Sequence, residues 1–203
     1  MNKETSPEFS LDDPLRSALG VLRAIFFAPR RFYLNFSADG PVREPAIFAL
    51  LVGALVAVVG VILVLLLNVL GLEVRGARLG LADAGIAGGL LLSLVFALVS
   101  PLIVAVGAGL YLLVIRTFIG DVAGYRQLYR LFGYAYAPMV LALVPVVGAF
   151  AFAYATLVLM AIGIRIVYRT SFLTALITAL VSFVPLMLAA TFLLAVSAGL
   201  VAG

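Results

Sequence analysis

The chain has 203 residues, of which 66% are apolar and 11% charged, with thirteen basic and nine acidic side chains. A soluble domain averages roughly half apolar and a quarter charged residues, so this composition indicates one membrane-embedded domain. The chain has no cysteine and no histidine, which excludes thiol nucleophiles, disulfides, and thiolate or imidazole metal ligands. The basic residues lie in short connections, which favours a role in topology over nucleic-acid binding. We therefore expect no cofactor, no metal and no nucleic-acid partner.

The N-terminal region divides into a tail, residues 1–11, predicted to be disordered, and a segment over residues 12–45. The sequence Asp12-Asp13-Pro14 is typical of a helix start, with aspartate as N-cap and proline in the first turn. Apolar residues then recur at helical spacing from Leu15 to Phe26. This pattern predicts an amphipathic helix in the cytoplasmic membrane interface, with its arginines toward anionic headgroups. The alternative is a helix packed on the bundle. The candidate membrane-surface contacts are Arg16, Arg23, Arg30 and Arg31.

Residues 46–203 are predicted to form a transmembrane domain. The longest uncharged run, residues 131–164, contains Pro145-Val146-Val147-Gly148 near its middle. As one helix this run would rise about 51 Å, against a hydrocarbon core of about 30 Å, so we predict two antiparallel spans joined at that turn. Glycines at 85, 88 and 89 are expected to loosen the start of the second span, and Pro101 to kink it. The predicted spans are 46–70, 87–115, 126–144, 148–168 and 172–198.

The distribution of basic residues favours five spans over four. With the N-terminus inside, a five-span arrangement places eleven of the thirteen Lys and Arg residues on the cytoplasmic side, and a four-span arrangement places nine there. Cytoplasmic segments carry the excess of positive charge. The sequence thus predicts an all-α polytopic bundle of five transmembrane helices plus an N-terminal amphipathic helix, in a prokaryotic cytoplasmic membrane.

The predicted spans contain no ionisable residue away from their ends. Proton relays, carboxylate cation sites and intramembrane aspartyl chemistry need such groups, which are rare in membranes unless functional. The sequence therefore favours a protein that is not an enzyme. The acidic residues of the connections, including Glu44 and Asp121, are interpreted as solvated.

The order of several short motifs resembles the Yip family, the Ypt/Rab-interacting five-span membrane proteins, and in particular its prokaryotic members. These motifs are Pro29–Tyr33, Gly120–Tyr129, Gly133–Pro138, Val144–Gly148 and Ile162–Arg165. The family-motif positions, to which we assign a structural role, are Tyr134, Tyr136, Pro138, Pro145, Gly148, Gly163 and Arg165.

The resemblance implies a cytoplasmic N-terminus and five spans. Eukaryotic relatives act in vesicle traffic through Rab GTPases, but this chain lacks their long polar N-terminal region, and a prokaryotic member would have no Rab partner. We expect an adaptor or membrane-organising component that contacts the bilayer, unknown membrane proteins or a second copy of itself. The alternative is a lipid or small apolar solute transporter, with a groove opened by prolines and glycines near Tyr134, Tyr136 and Tyr154.

Overall fold

A computed structural model describes residues 8–69, 81–142 and 147–202, and all regular structure in these ranges is helical. This agrees with the predicted all-α class. The helices are α1 (Pro14–Phe27), α2 (Pro29–Leu34), α3 (Arg43–Val69), α4 (Leu81–Phe118), α5 (Tyr125–Ala135), a 3-10 helix (Ala137–Leu141), α6 (Val147–Ala153), a π-helix (Tyr154–Leu159), α7 (Met160–Val167) and α8 (Phe172–Ala202). Pro145 and the predicted span ends at 70 and 144 lie outside the described residues.

The part of the N-terminal tail that the structure describes, from Glu8 onward, lies against the helices. Phe9 is 2% exposed and packs against Phe48 of α3. The tail leads into α1, where Asp13 Oδ1 accepts a hydrogen bond from the Arg16 amide at 3.3 Å, as predicted for an N-cap. Residues 1–7 lie outside the described residues, so the disorder expected over residues 1–11 stays a prediction.

Helices α3 and α4 cross closely because small residues line their contact. A Cβ atom added to Gly53 would lie 2.8 Å from the Ser100 Cβ and 3.3 Å from the Ala97 Cα. Large apolar side chains on the outer surfaces of both helices are exposed, which is the arrangement of helices that face lipid. Helix α4 begins at Leu81, before the glycines expected to loosen it. Each glycine lowers helix stability by about 1 kcal/mol relative to alanine, which does not suffice to end a long apolar helix.

The predicted span 126–144 is not one continuous helix. Helix α5 ends at Ala135, and the chain continues as the 3-10 helix that contains Pro138. Proline has no amide hydrogen to donate and its ring clashes with the preceding turn, which favours the break here, although α4 continues through Pro101 and α8 through Pro185.

The two halves of the run 131–164 nevertheless lie antiparallel. A Cβ added to Gly163 would lie 2.9 Å from a Leu131 methyl group, and a Cβ added to Gly148 would overlap the Ala142 carbonyl. Leu131, at the start of the run, meets Gly163 near its end, and Ala142 meets Gly148 near its middle. The two halves therefore run in opposite directions. At Gly148 the neighbouring atoms belong to the Ala142 backbone, so a side chain there would meet the main chain, whereas at Gly163 they belong to the Leu131 side chain.

The helix from Val147 to Val167 is continuous but contains a π-helical segment at Tyr154–Leu159. The Tyr111 hydroxyl of α4 donates a hydrogen bond to the Thr156 carbonyl within this segment. A π-helix changes the usual i→i−4 pairing, and here a neighbouring helix binds one of its carbonyl groups.

Within the described residues, three helical segments are long and apolar enough to cross a membrane: Arg43–Leu63, Ala97–Phe118 and Val147–Val167. The apolar part of α8 over Phe172–Leu188 is shorter. These lengths and compositions are those of an integral membrane protein.

Candidate functional site

Arg130 is fully buried, and it is the one charged side chain among the described residues that is buried. It lies in the middle of α5, whose residues from Leu128 to Ala135 are all buried. Because the residues around Arg130 on α5 are buried, its side chain cannot extend along the helix surface to water. It must therefore be compensated by groups of the protein.

Two carboxylates provide that compensation. Glu8 Oε2 lies 2.8 Å from Arg130 Nη2, and Glu44 Oε2 lies 3.6 Å from Nη1. Glu44 was expected to be solvated, but its side chain is only 22% exposed because α3 begins against α5. Asp121, by contrast, is exposed and forms a surface ion pair with Arg116, as expected of a solvated residue.

Backbone carbonyls and aromatic rings complete the surroundings of the guanidinium group. Arg130 Nε donates to the Ser37 carbonyl at 2.9 Å, and Nη1 donates to the Pro41 carbonyl. The ring centroids of Phe36 and Tyr134 lie 5.6 and 6.0 Å from the Arg130 Cζ, within cation–π range. We call these groups, together with Glu44, the arginine site.

The loop that supplies these carbonyls also fits tightly around the guanidinium group. A Cβ added to Gly40 would lie 2.6 Å from Arg130 Nη1. Next to it, the Gln127 side chain donates to Asp39 Oδ1 at 3.1 Å. The 35–42 loop is thus fixed to α5 by two neighbouring residues of that helix.

Glu8 and Phe9 connect the tail to the arginine site, and we call this pair the N-terminal anchor. Glu8 Oε1 accepts a hydrogen bond from the Ser37 amide at 2.6 Å, while Oε2 accepts from Arg130. The Phe9 ring lies 6.0 Å from the Phe48 ring, which in turn lies 5.7 Å from Tyr134. The site therefore receives a carboxylate and an aromatic ring side by side.

Burial raises the pKa of the Glu8 carboxyl above its ordinary value, although the Ser37 amide and Arg130 both act to lower it. The Glu44 carboxylate raises it further. The loss of hydration at Glu8 thus exceeds the attraction of its partners. The ion pair determines where the tail lies more than it adds to stability.

A second feature is an apolar groove of about 510 Å³, open to the surface between α1 and the broken hairpin. Its volume is in the range of small-molecule sites, about 300–1,000 Å³. The 3-10 helix and the π-helix each form one wall, so both departures from α-helical geometry shape it. The principal lining residues are Phe26, Pro138, Leu141, Phe150, Tyr154 and Val158.

One buried hydroxyl group on α2 has no hydrogen-bond partner among the described residues. The Tyr33 hydroxyl is buried, and no group in the described part of the chain donates to it or accepts from it. About nine in ten buried polar groups have a partner, so this one is an exception.

The family-motif residues that the structure describes occupy four different places. Tyr134 and Tyr136 are buried, Tyr134 against the arginine site, while Pro138 lies in the groove wall. Gly148 and Gly163 are the close contacts of the hairpin. Arg165 is exposed, with its Cζ 5.7 Å from the Phe172 ring centroid. The sequence-predicted residues therefore do not form one site.

The four candidate surface arginines, Arg16, Arg23, Arg30 and Arg31, are all exposed. Helix α1 buries Val21 and Ile25 completely, while Leu15 and Leu19 remain 76% and 67% exposed. The predicted apolar face is thus divided between the bundle and the exterior. Val21 and Ile25 pack on the bundle, and the position of α1 in the membrane interface stays a prediction.

Sequence reasoning treated Arg130 only as a determinant of topology and assigned no role to Glu8. The sequence does contain an indication that Arg130 is buried. Its neighbours at one and two positions on either side are all apolar or aromatic: Leu128, Tyr129, Leu131 and Phe132. The identity of its partners was not readable, since Glu8 is 122 positions away in the sequence. Among the described residues, no group of three His, Cys, Asp or Glu side chains could hold a metal ion.

Comparison with known proteins gives one finding. The chain matches the family model described as the Yip1 domain over residues 23–194. No curated protein and no solved structure matches it. The matched range contains the arginine site and the groove, and the N-terminal anchor precedes it.

Proposed function

The chain belongs to the Yip1 domain family, and we propose that it acts as a non-enzymatic membrane-organising adaptor. The observation that carries this proposal is the divided surface of α1. Val21 and Ile25 fix the helix to the bundle, while Leu15, Leu19 and Phe27 (84% exposed) remain available to lipid or to a partner. The exposed arginines beside them suit anionic headgroups at the cytoplasmic face. Partner proteins would contact this helix and the Arg116–Arg130 connection.

Lipid enrichment around the reconstituted protein tests this proposal. The chain has no cysteine, so Val122→Cys, at a half-exposed loop position, gives one labelling site. Energy transfer from this label to an acyl-labelled anionic phospholipid should exceed transfer to a zwitterionic lipid with the same dye. Replacing the four α1–α2 arginines with glutamine should remove the difference.

The matched control is Arg116→Gln, which removes an exposed arginine that pairs with Asp121 outside α1 and α2. Enrichment should persist in this variant. Equal enrichment of both lipids around the unmodified protein would refute the proposal.

We propose five crossings with a cytoplasmic N-terminus. Helix α5 and the following 3-10 helix together rise about 26 Å, close to the thickness of the hydrocarbon core of about 30 Å. The bias of basic residues supports this orientation. A reporter fused after Arg169 should be cytoplasmic, and an extracytoplasmic reading would exclude the arrangement.

A second candidate function is the transport of lipid or a small apolar solute, and the groove favours it. Both its size and its carbon-rich lining suit an acyl chain or a compact apolar molecule. The π-helix in its wall is a feature frequent at functional sites.

Lipid-flux measurements in reconstituted vesicles separate the two functions. The adaptor should give no flux above that of empty vesicles, whereas a transporter should give flux that Ala153→Phe reduces by filling the groove. Leu102→Phe is the control, because Leu102 is 61% exposed on α4 and does not line the groove.

A further inference from the structure

We propose that the arginine site is a receptor for a protein segment carrying an acidic residue followed by an aromatic residue, and that Glu8-Phe9 is its replaceable internal ligand. This inference rests on the proposed adaptor function and specifies how a partner would be recognised. The partner segment would take the place of the anchor, with its carboxylate on Arg130 and its ring beside Phe48.

The chemistry of the site demands a carboxylate. A buried arginine that loses its ion-pair partner is strongly destabilising, so occupancy by an anion is favoured over an empty site. Two donors converge on the incoming carboxylate: Arg130 Nη2 at 2.8 Å and the Ser37 amide at 2.6 Å. This two-oxygen arrangement suits a carboxylate specifically.

The aromatic preference comes from the adjoining surface. The Phe9 ring is 2% exposed and lies beside the Phe48 ring, which in turn packs against Tyr134 of the arginine site. A ring is therefore required next to the carboxylate, and an aliphatic side chain would leave part of this surface without contact.

Three observations indicate that the present ligand is replaceable. On its C-terminal side, Leu11, Asp12 and Asp13 are exposed, so burial ends two residues after Phe9. The site lies within the matched family domain, while Glu8 and Phe9 lie before residue 23. Glu44 remains beside Arg130 when the anchor leaves, which keeps one carboxylate near the guanidinium during exchange.

The electrostatics of Glu8 point in the same direction. Because burial raises the pKa of its carboxyl despite the nearby guanidinium, lost hydration of Glu8 offsets part of the ion-pair attraction, and exchange for another carboxylate keeps the pair intact. Retention of the anchor then depends on Phe9 and on the high effective concentration of a segment in the same chain, in the millimolar range for short linkers. A partner presented at the same membrane would have a comparable advantage.

The anchor is also connected to α1. The Ser17 hydroxyl of α1 donates to the Ser10 carbonyl at 2.9 Å, one residue after Phe9. Displacement of the anchor would therefore remove a contact that orients the start of α1, and so link partner binding to the membrane-facing surface of this helix.

The test uses the full-length chain with Glu8→Ala and Phe9→Ala, which vacates the site, and a fluorescein-labelled peptide of residues 1–13. Fluorescence anisotropy should show binding to the vacated protein in detergent micelles, and at least about tenfold weaker binding to the unmodified protein, whose site is occupied. Peptides with Glu8→Lys or Phe9→Ala should bind the vacated protein at least about tenfold more weakly.

Arg126→Met added to the vacated protein is the control, since Arg126 is exposed on the same helix and binding should be unchanged. If the double variant is not monodisperse, the milder pair Glu8→Gln and Phe9→Leu serves as the vacated protein. The inference would be overturned if the peptide did not bind a folded vacated protein. It would also be overturned if the Glu8→Lys and Phe9→Ala peptides bound with the same affinity as the unchanged peptide. The lipid-enrichment experiment tests the adaptor proposal, and the peptide-binding experiment tests the receptor proposal. The two measurements are independent, so a negative result in one does not change the interpretation of the other.

Discussion

Replacing Arg130 with methionine tests whether this side chain stabilises the packing of α5 against the 35–42 loop and the start of α3. The substitution keeps an apolar stem of similar length and removes every hydrogen bond to Glu8, Ser37 and Pro41. Breaking a buried ion pair by removing one partner destabilises proteins by about 3–5 kcal/mol. Glu44 is also left without its guanidinium partner, so we expect a loss near the upper end of that range.

The free energy of unfolding can be measured by titrating SDS into nonionic micelles and following the loss of helical circular dichroism. Arg126→Met is the matched control: it lies one turn earlier in α5 and is exposed, so we expect a change within about 0.5 kcal/mol. The double variant Glu8→Gln/Arg130→Met should recover part of the loss, because it no longer buries an unpaired carboxylate.

A difference of less than about 1 kcal/mol between the Arg130 and Arg126 variants would refute the reasoning. It would mean that Glu8 and Glu44 regain enough hydration to replace the guanidinium group. The assignment of the arginine site as a stabilising centre would then be wrong, whatever its role in recognition.

Further predictions concern the loop, the tail and the π-helix. Gly40→Ala should destabilise the protein by about 1–3 kcal/mol in the same titration, because the added methyl group overlaps the Arg130 guanidinium, whereas Gly20→Ala, with no atom within 4 Å, should be neutral or slightly stabilising. Because burial raises the pKa of Glu8, the folded chain binds a proton at this carboxyl more tightly than the unfolded chain does. The free energy of unfolding of the unmodified protein, relative to that of Glu8→Gln, should therefore fall as pH rises from about 4.5 to 7. A difference that is constant over this range would contradict the prediction. Tyr111→Phe leaves the Thr156 carbonyl without its donor and should lower stability by about 1–3 kcal/mol; no change would mean that the π-helix is held by other contacts.

The sequence predicted what depends on local patterns. The cap of α1 at Asp13 and the antiparallel contact at Gly148 follow from residue types whose conformational preferences act within a few positions. The family was identified from Gly133–Pro138 and neighbouring motifs, and the match over residues 23–194 confirms it.

The arginine site could not be predicted in the same way. Its anion comes from the tail, its carbonyls from the 35–42 loop and its cation from α5, and no short-range pattern relates these three segments. The groove was anticipated near Tyr154, but its walls depend on where helices deviate from α-geometry. Pro138 signals one deviation; the π-helix has no comparable residue signal.

The π-helix at Tyr154–Leu159 also sets the rotational phase between the two ends of the helix that contains it. A π-turn accommodates one extra residue, and each residue advances an α-helix by about 100°. Removing one residue from this segment should return it to α-helix and rotate α6 relative to α7 by about that angle. Phe150 would then leave the groove while Gly163 kept its contact with Leu131. The one extra residue of the π-helix thus allows Phe150 to face the groove while Gly163, in the same helix, packs against Leu131.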